Sequence, residues 1–231
     1  MIFGFDLISD LNLTSESKFD WTGKATSLYC LIAGNISDDI LVIEKTLKHL
    51  GTMYQGVFYI DGGLEHQHLA LATKRLSDLR KVCDSMKNVV FLHNHVVVVD
   101  GIAIVGVNGW YGNYITTNPL DEIRLESYRH DDMLYLGKTI ERLQLHVDVR
   151  KILVLSSAVP AKELYFGEDF HLPEPIGPAY GLMHDTEKKV TTWAYGTYDK
   201  MVDATISGIR YVNNSCYDNN PYWAKRVELS L

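Results

Sequence analysis

Five short segments place oxygen-bearing side chains directly after apolar, strand-sized runs. They read Ser9-Asp10-Leu11-Asn12, Ala33-Gly34-Asn35-Ile36-Ser37-Asp38, Asp61-Gly62-Gly63-Leu64-Glu65, Ser156-Ser157-Ala158-Val159-Pro160 and Trp193-Ala194-Tyr195-Gly196-Thr197-Tyr198-Asp199. In open α/β folds ligands bind beyond the carboxyl ends of strands, so chemistry is expected at these turns. His66 and His68 follow the third turn. An i, i+2 pair points both rings one way only on a strand, and this segment leads into a helical pattern. They read first as polar residues at a helix start, with metal ligation or a general-acid role as the alternative. His93 and His95 flank a hairpin turn and are expected to face solvent. Ser157 sits in no Gly-x-Ser-x-Gly elbow and has no assignable base, which argues against a nucleophilic serine.

The elements that must position these turns are legible from periodicity. Residues 1–8, 28–33, 57–60, 89–92, 96–99, 102–107, 151–156 and 190–195 are short apolar runs ended by turn signals and read as strands. Residues 204–212, interrupted by Gly208, and 223–229 read as closing strands. Residues 38–50 and 69–86 carry apolar side chains at helical spacing. Residues 120–150 lack strong turn signals and predict one or two helices. Pro160, Pro173, Pro175 and Pro178, with Gly167 and Gly177, predict an irregular loop at about 157–181. Without repeats or linkers, residues 1–231 read as a single α/β domain.

Composition narrows the function classes. The chain has 46% hydrophobic and 22% charged residues, an ordinary globular balance, and a net charge of −7. No Lys/Arg tract long enough to track a phosphate backbone is present, so nucleic acid is not an expected partner. The longest apolar runs are strand-sized, so no membrane span is expected. Cys30, Cys83 and Cys216 form no CxxC unit and read as reduced thiols of an intracellular protein. No basic stretch precedes an apolar one at the start, and a cytoplasmic location is the expectation.

Order, spacing and flanking strands together make the five turns similar to those of the calcineurin-like metallophosphoesterases, in particular the short bacterial and phage members. There the turns read Ser-Asp-Leu-His-Leu, Ala-Gly-Asp-x-x-Asp, Gly-Asn-His-Glu, Thr-His, and Trp-x-x-Gly-His-Thr-His. Residues 88–94 and 102–110 resemble the mid-chain hairpin and the strand leading to a tryptophan, and residues 210–214 resemble the final strand. The resemblance spans roughly the whole chain. It implies a four-layer α-β-β-α sandwich of two mixed β-sheets.

Carried over residue by residue, the resemblance also implies a degenerate site. Asp10 is retained, but Asn12 stands at a histidine position and Asn35 at the bridging aspartate. Gly63 replaces the metal-binding asparagine, and Leu64 the histidine that protonates the leaving group. Ser157, Thr197 and Asp199 stand where histidines are expected; Glu65 matches its motif without being a direct ligand in the relatives. A dinuclear centre needs a bridging carboxylate and imidazoles holding two cations about 3.5–4 Å apart, and neutral hydroxyls, Gly and Leu do not supply them. The expectation is therefore a pseudoenzyme without cofactor, retaining at most one weak divalent cation at Asp10, Asn35 and Asp199. Its partner would be another protein or a second copy. An aromatic-rich rim, including Trp21, Tyr54, Trp110, Tyr195 and Trp223, adds weaker support for such a surface. The alternatives are a hydrolase with a rebuilt or mononuclear site and a binder of a small neutral ligand. Loss of chemistry would suit a phage protein with a structural or host-interaction role.

Overall fold

The computed structural model describes residues 2–110, 118–165, 189–197, 201–216 and 223–230. Its strands are β1 (Ile2–Ile8), β2 (Tyr29–Ala33), β3 (Gly56–Ile60), β4 (Val89–Phe91), β5 (His95–Val99), β6 (Ile102–Val107), β7 (Lys151–Ser156), β8 (Val190–Tyr195), β9 (Asp203–Ile206), β10 (Ile209–Asn213) and β11 (Lys225–Ser230). Three α-helices join them: α1 (Ile40–Met53), α2 (Ala72–Asp84) and α3 (Pro119–Leu145). The strands form two mixed sheets, ordered β11-β1-β2-β3-β4 and β5-β6-β7-β8-β10-β9.

Why two sheets stack, rather than one lying exposed, follows from strands that are apolar on both faces. Successive side chains alternate across a strand. In β2, Cys30 and Ile32 pack toward Ile43 and Leu47 of α1 and Leu79 of α2, while Leu31 and Ala33 face the other sheet. In β7, Leu153 and Leu155 meet them from the opposite side, and Ile152 and Val154 pack outward under Leu136, Ile140 and Leu143 of α3. The result is α1 and α2, sheet, sheet, α3. This is the four-layer arrangement the resemblance implied.

Local chemistry places the helix starts. Asp39 caps α1 by accepting from the Leu41 amide at 2.8 Å, and Asn118 caps α3 by accepting from Leu120 at 2.9 Å, with Pro119 opening the helix. Residues 120–150 thus resolve into one long helix ending at Leu145. The segment between β1 and β2 has no regular element but is anchored from inside. Buried Asp6 accepts from the Thr26 amide at 2.6 Å and the Tyr54 hydroxyl at 2.9 Å, and Tyr54 accepts from the Trp21 indole at 2.8 Å.

Two details refine the sequence reading. Residues 89–107 are not one meander: β4 ends the first sheet and β5 begins the second, so only β5 and β6 form a hairpin. Residues 204–212 are two strands, folded back at Ser207-Gly208, both with left-handed φ. Of the Pro/Gly-rich loop, residues 157–165 are described, with a 3-10 turn at Lys162–Tyr165; the remainder lies outside the described residues.

Where the chain crosses between sheets there is no spare volume. A Cβ on Gly106 would sit 2.3 Å from Leu92 Cβ and 2.4 Å from its carbonyl oxygen. Gly208 has φ +83 with nothing within 4 Å, so only its backbone is constrained. Gly106→Ala is expected to cost about 3 kcal/mol through overpacking, and Gly208→Ala about 1 kcal/mol through left-handed strain. Urea unfolding distinguishes them; a Gly106→Ala protein as stable as the parent would show that the two sheets separate freely at this crossing.

Candidate functional site

All five polar turns converge at the carboxyl ends of β1, β2, β3, β7 and β8. At their centre lies the side chain of Asn35. Its Nδ2 donates to Asp10 Oδ1 at 2.7 Å and to Thr197 Oγ1 at 3.1 Å, and its Oδ1 accepts from the Leu64 amide at 2.9 Å. The partners fix this orientation: a carboxylate and a hydroxyl stand on one side, a backbone N–H on the other. Ser157 Oγ lies 3.1 Å from Thr197 Oγ1, and the Thr197 amide donates to both oxygens of Asp10 at 3.1 Å. Asp10 is buried, and burial pushes its carboxyl above the ordinary aspartate range, partly offset by the hydrogen bonds from Asn35 and Thr197.

The turns themselves are held by Glu65. Its buried carboxylate accepts from the amides of Asn35 at 3.0 Å, Ile36 at 2.7 Å and Gly62 at 2.9 Å, and from the Tyr59 hydroxyl at 3.1 Å. It stitches the second turn to the third and offers nothing outward. Asp10, Asn12, Asn35 and Thr197 all have left-handed φ, between 47 and 59°. That region is uncommon for non-glycine residues, and for β-branched Thr197 above all. The approach is close: a Cβ on Gly62 would lie 2.4 Å from Asn35 Oδ1 and 2.6 Å from Ser157 Oγ.

The remaining sequence-predicted residues separate. Asn12 is exposed, and its amide folds back to donate to the Asp10 carbonyl at 3.0 Å. Gly63 is buried and Leu64 contributes only its backbone N–H. Asp199 lies outside the described residues. His68 is exposed beside the 3-10 turn Leu69–Leu71, as a helix-start residue would be, and His66 is buried. The two histidines do not form a pair. Much of the expected aromatic rim is core instead: Trp21, Tyr54, Trp110 and Tyr195 are buried, whereas Trp223 is half exposed.

The donor set does not fit a dinuclear metal centre. Where a cation would require an acceptor bridging two ions, Asn35 directs N–H groups at Asp10 and the Thr197 hydroxyl. Among the described residues, no group of three or more His, Cys, Asp or Glu side chains is placed to hold a metal ion. A partial His/Asp cluster does exist, and sequence reasoning passed over its centre. Asp61, at the end of β3, accepts from His66 Nε2 at 2.5 Å, His93 Nδ1 at 2.9 Å and Asn108 Nδ2 at 3.0 Å. His93 is therefore mostly buried and ion-paired, not solvent-facing, because the β4–β5 crossing turns it inward beneath α3. The only sequence signal was an acid closing a wholly apolar strand.

Electrostatics bind this cluster. Burial pushes the Asp61 carboxyl up, but the charge and hydrogen bonds of His93 and His66 outweigh it, and it lies well below the ordinary range. Burial pulls His93 down, and Asp61 with the charge of nearby Asp132 outweighs that and raises it. Asp132 on α3, raised by burial, accepts from Gly109 N and Asn94 Nδ2, both at 2.8 Å. A raised histidine contributes stability that is complete below its unfolded value near pH ~6.5 and is lost as pH rises through the folded value. A lowered aspartate contributes stability above about pH 4 that is lost on acidification through its folded value. Chemical unfolding should therefore show this cluster strongest between about pH 4 and 6.5, and the loss above that window should vanish in His93→Gln. Asp61→Asn, which strands a buried imidazolium, is expected to cost about 3–5 kcal/mol. An unchanged unfolding midpoint would sink the assignment.

No protein-family model matches the chain. A curated relative, protein L509 of Acanthamoeba polyphaga mimivirus, is 23% identical over 119 residues, covering 45% of this chain and 42% of that protein. The chain thus matches less than half the length of that relative. Among solved structures, phosphopantetheinyl hydrolase from Mycobacterium tuberculosis is similar with TM-score 0.62 and 15% identity, over 96% of this chain and 95% of that one. A putative 5'-nucleotidase from Staphylococcus aureus gives 0.59 and 12%, over 100% of this chain and 51% of that one. The NAD nucleotidase of Haemophilus influenzae gives 0.50 and 12%, over 100% and 53%. These likenesses, with the two-sheet sandwich and the five turns, establish that the chain has the calcineurin-like phosphoesterase fold, without an intact metal-binding cluster among its described residues.

Proposed function

We propose that this protein is a catalytically inactive phosphoesterase-like protein whose role is to bind another protein, as a structural or regulatory factor. The observation that carries the reading is the side-chain amide of Asn35. It stands where a bridging carboxylate would, and both of its polar atoms are engaged within the protein. A cleft whose polar groups satisfy one another has no need of a cation and presents no nucleophile-bearing metal to a phosphoester. What cation affinity remains would be a single weak site at Asp10 and Asn35, with Asp199. Anionic ligands are disfavoured beside the buried Asp10 carboxylate. A phage or viral setting, in the host cytoplasm, is compatible with the partial similarity to a mimivirus protein.

Metal analysis after separate incubation with Mn²⁺, Zn²⁺ and Ca²⁺, followed by desalting, tests the reading. Less than about 0.1 equivalent retained is expected, since a dinuclear site would hold its ions through desalting. Two equivalents of a transition metal, with phosphodiester turnover lost in Asp10→Ala, would overturn it in favour of a rebuilt hydrolase. A second variant probes the amide itself. Asn35→Asp sets a carboxylate against Asp10 and removes two donors, and is expected to cost about 2–4 kcal/mol without restoring metal binding. Stabilisation of Asn35→Asp by Mn²⁺ would show that the other positions still support a centre.

A further inference from the structure

Among the described residues the two open sheets leave four edges, and three of them carry devices that discourage edge-to-edge pairing. Strand β4 is three residues long and lies beside α2. Strand β9 is four residues long and opens on Asp203, whose carboxylate pairs with Arg210 and Lys225. Strand β11 sets Arg226 and Glu228 outward. Short strands and exposed charges are the usual defences of an edge against another chain. Strand β5 has neither. It reads His95-Val96-Val97-Val98-Val99, and among the described residues it pairs with β6 alone.

The four valines are β-branched, which favours an extended ribbon. Val96 packs toward α3 and Val97 and Val99 pack between the sheets, so the strand is held straight from inside. Val98 is 49% exposed. Its sequence is also compatible with itself. In an antiparallel pairing about Val97, Val97 meets its own copy, Val96 meets Val98, and His95 meets Val99. Asp100 then falls opposite Asn94, so no like charges face one another, and the ladder is built from β-branched cross-strand pairs.

We propose that β5 is a self-association edge, through which two copies pair antiparallel about a two-fold axis at Val97 and join their second sheets into one. The contact is isologous and closes at a dimer. A five-residue ladder is smaller than a standard stable interface, so the dimer forms in the micromolar range rather than below it. The inference stands on the sheet edge and is independent of whether the emptied turns bind anything.

Sedimentation velocity across the micromolar range tests it, on the parent and on Val98→Lys, with hydrogen exchange read at β5 amides at both ends of the range. The parent is expected to pass from monomer to dimer with slowed β5 exchange. Val98→Lys should weaken the dimer by about tenfold or more, since lysine at an edge blocks pairing. Val98 is half exposed, and a thermal melt close to that of the parent confirms that the variant folds. A parent that stays monomeric throughout would overturn the proposal. So would a dimer indifferent to Val98→Lys, or β5 amides already fully protected in the monomer, which would mean that the edge is covered within one chain.

Discussion

The amide of Asn35 ties the second turn to the first, third and fifth by two donated hydrogen bonds and one accepted one. A carboxylate in its place would face the buried Asp10 across 2.7 Å, an arrangement that two cations could neutralise and that the protein alone could not. One nitrogen in place of one oxygen converts a cation-demanding cleft into a self-satisfied one. The neighbouring groups are satisfied within the protein in the same way. Thr197 shares its hydroxyl between Asn35 and Ser157, and Leu64 offers only its backbone N–H.

The turns nevertheless keep a demanding backbone. Left-handed φ at Asp10, Asn12, Asn35 and Thr197 costs free energy at each residue, about 1–3 kcal/mol where the side chain is poorly suited. Such strain persists only when the surroundings over-determine it. Here the four donors on Glu65, the close packing at Gly62 and the sheet-to-sheet core supply that determination. The strand-turn frame is thereby preserved although its ligand set is not. This accounts for fold similarity over 96–100% of this chain at 12–15% identity.

A second polar centre lies under the first. Asp61 gathers His66, His93 and Asn108 from the third turn, the β4–β5 crossing and the end of β6, and Asp132 holds Asn94 and Gly109 from α3. These groups join the two sheets and α3 at the point where the chain passes between layers. A buried, paired cluster of this kind adds little net stability over an apolar core, but it penalises any arrangement that separates its partners. It therefore works as a register pin between the sheets.

The sequence by itself determined the architecture and the fate of the five turns. Apolar runs of four to eight residues punctuated by Gly, Asn and Asp dictate buried strands, because backbone polar groups in such runs find partners only in a sheet. Residue types at Asp10, Asn35, Gly63, Leu64 and Ser157 state what can and cannot bind a metal whatever their exact positions. Only the tertiary structure decided which way each group turned. It buried His66 and left His68 in solvent, drew His93 onto Asp61, and turned the Asn35 nitrogen rather than its oxygen toward Asp10. Those outcomes rest on partners 25 to 162 positions away along the chain, or on which side of a turn faces the core. Local periodicity carries no information about either, because hydrogen-bond direction is set by the groups that packing brings opposite.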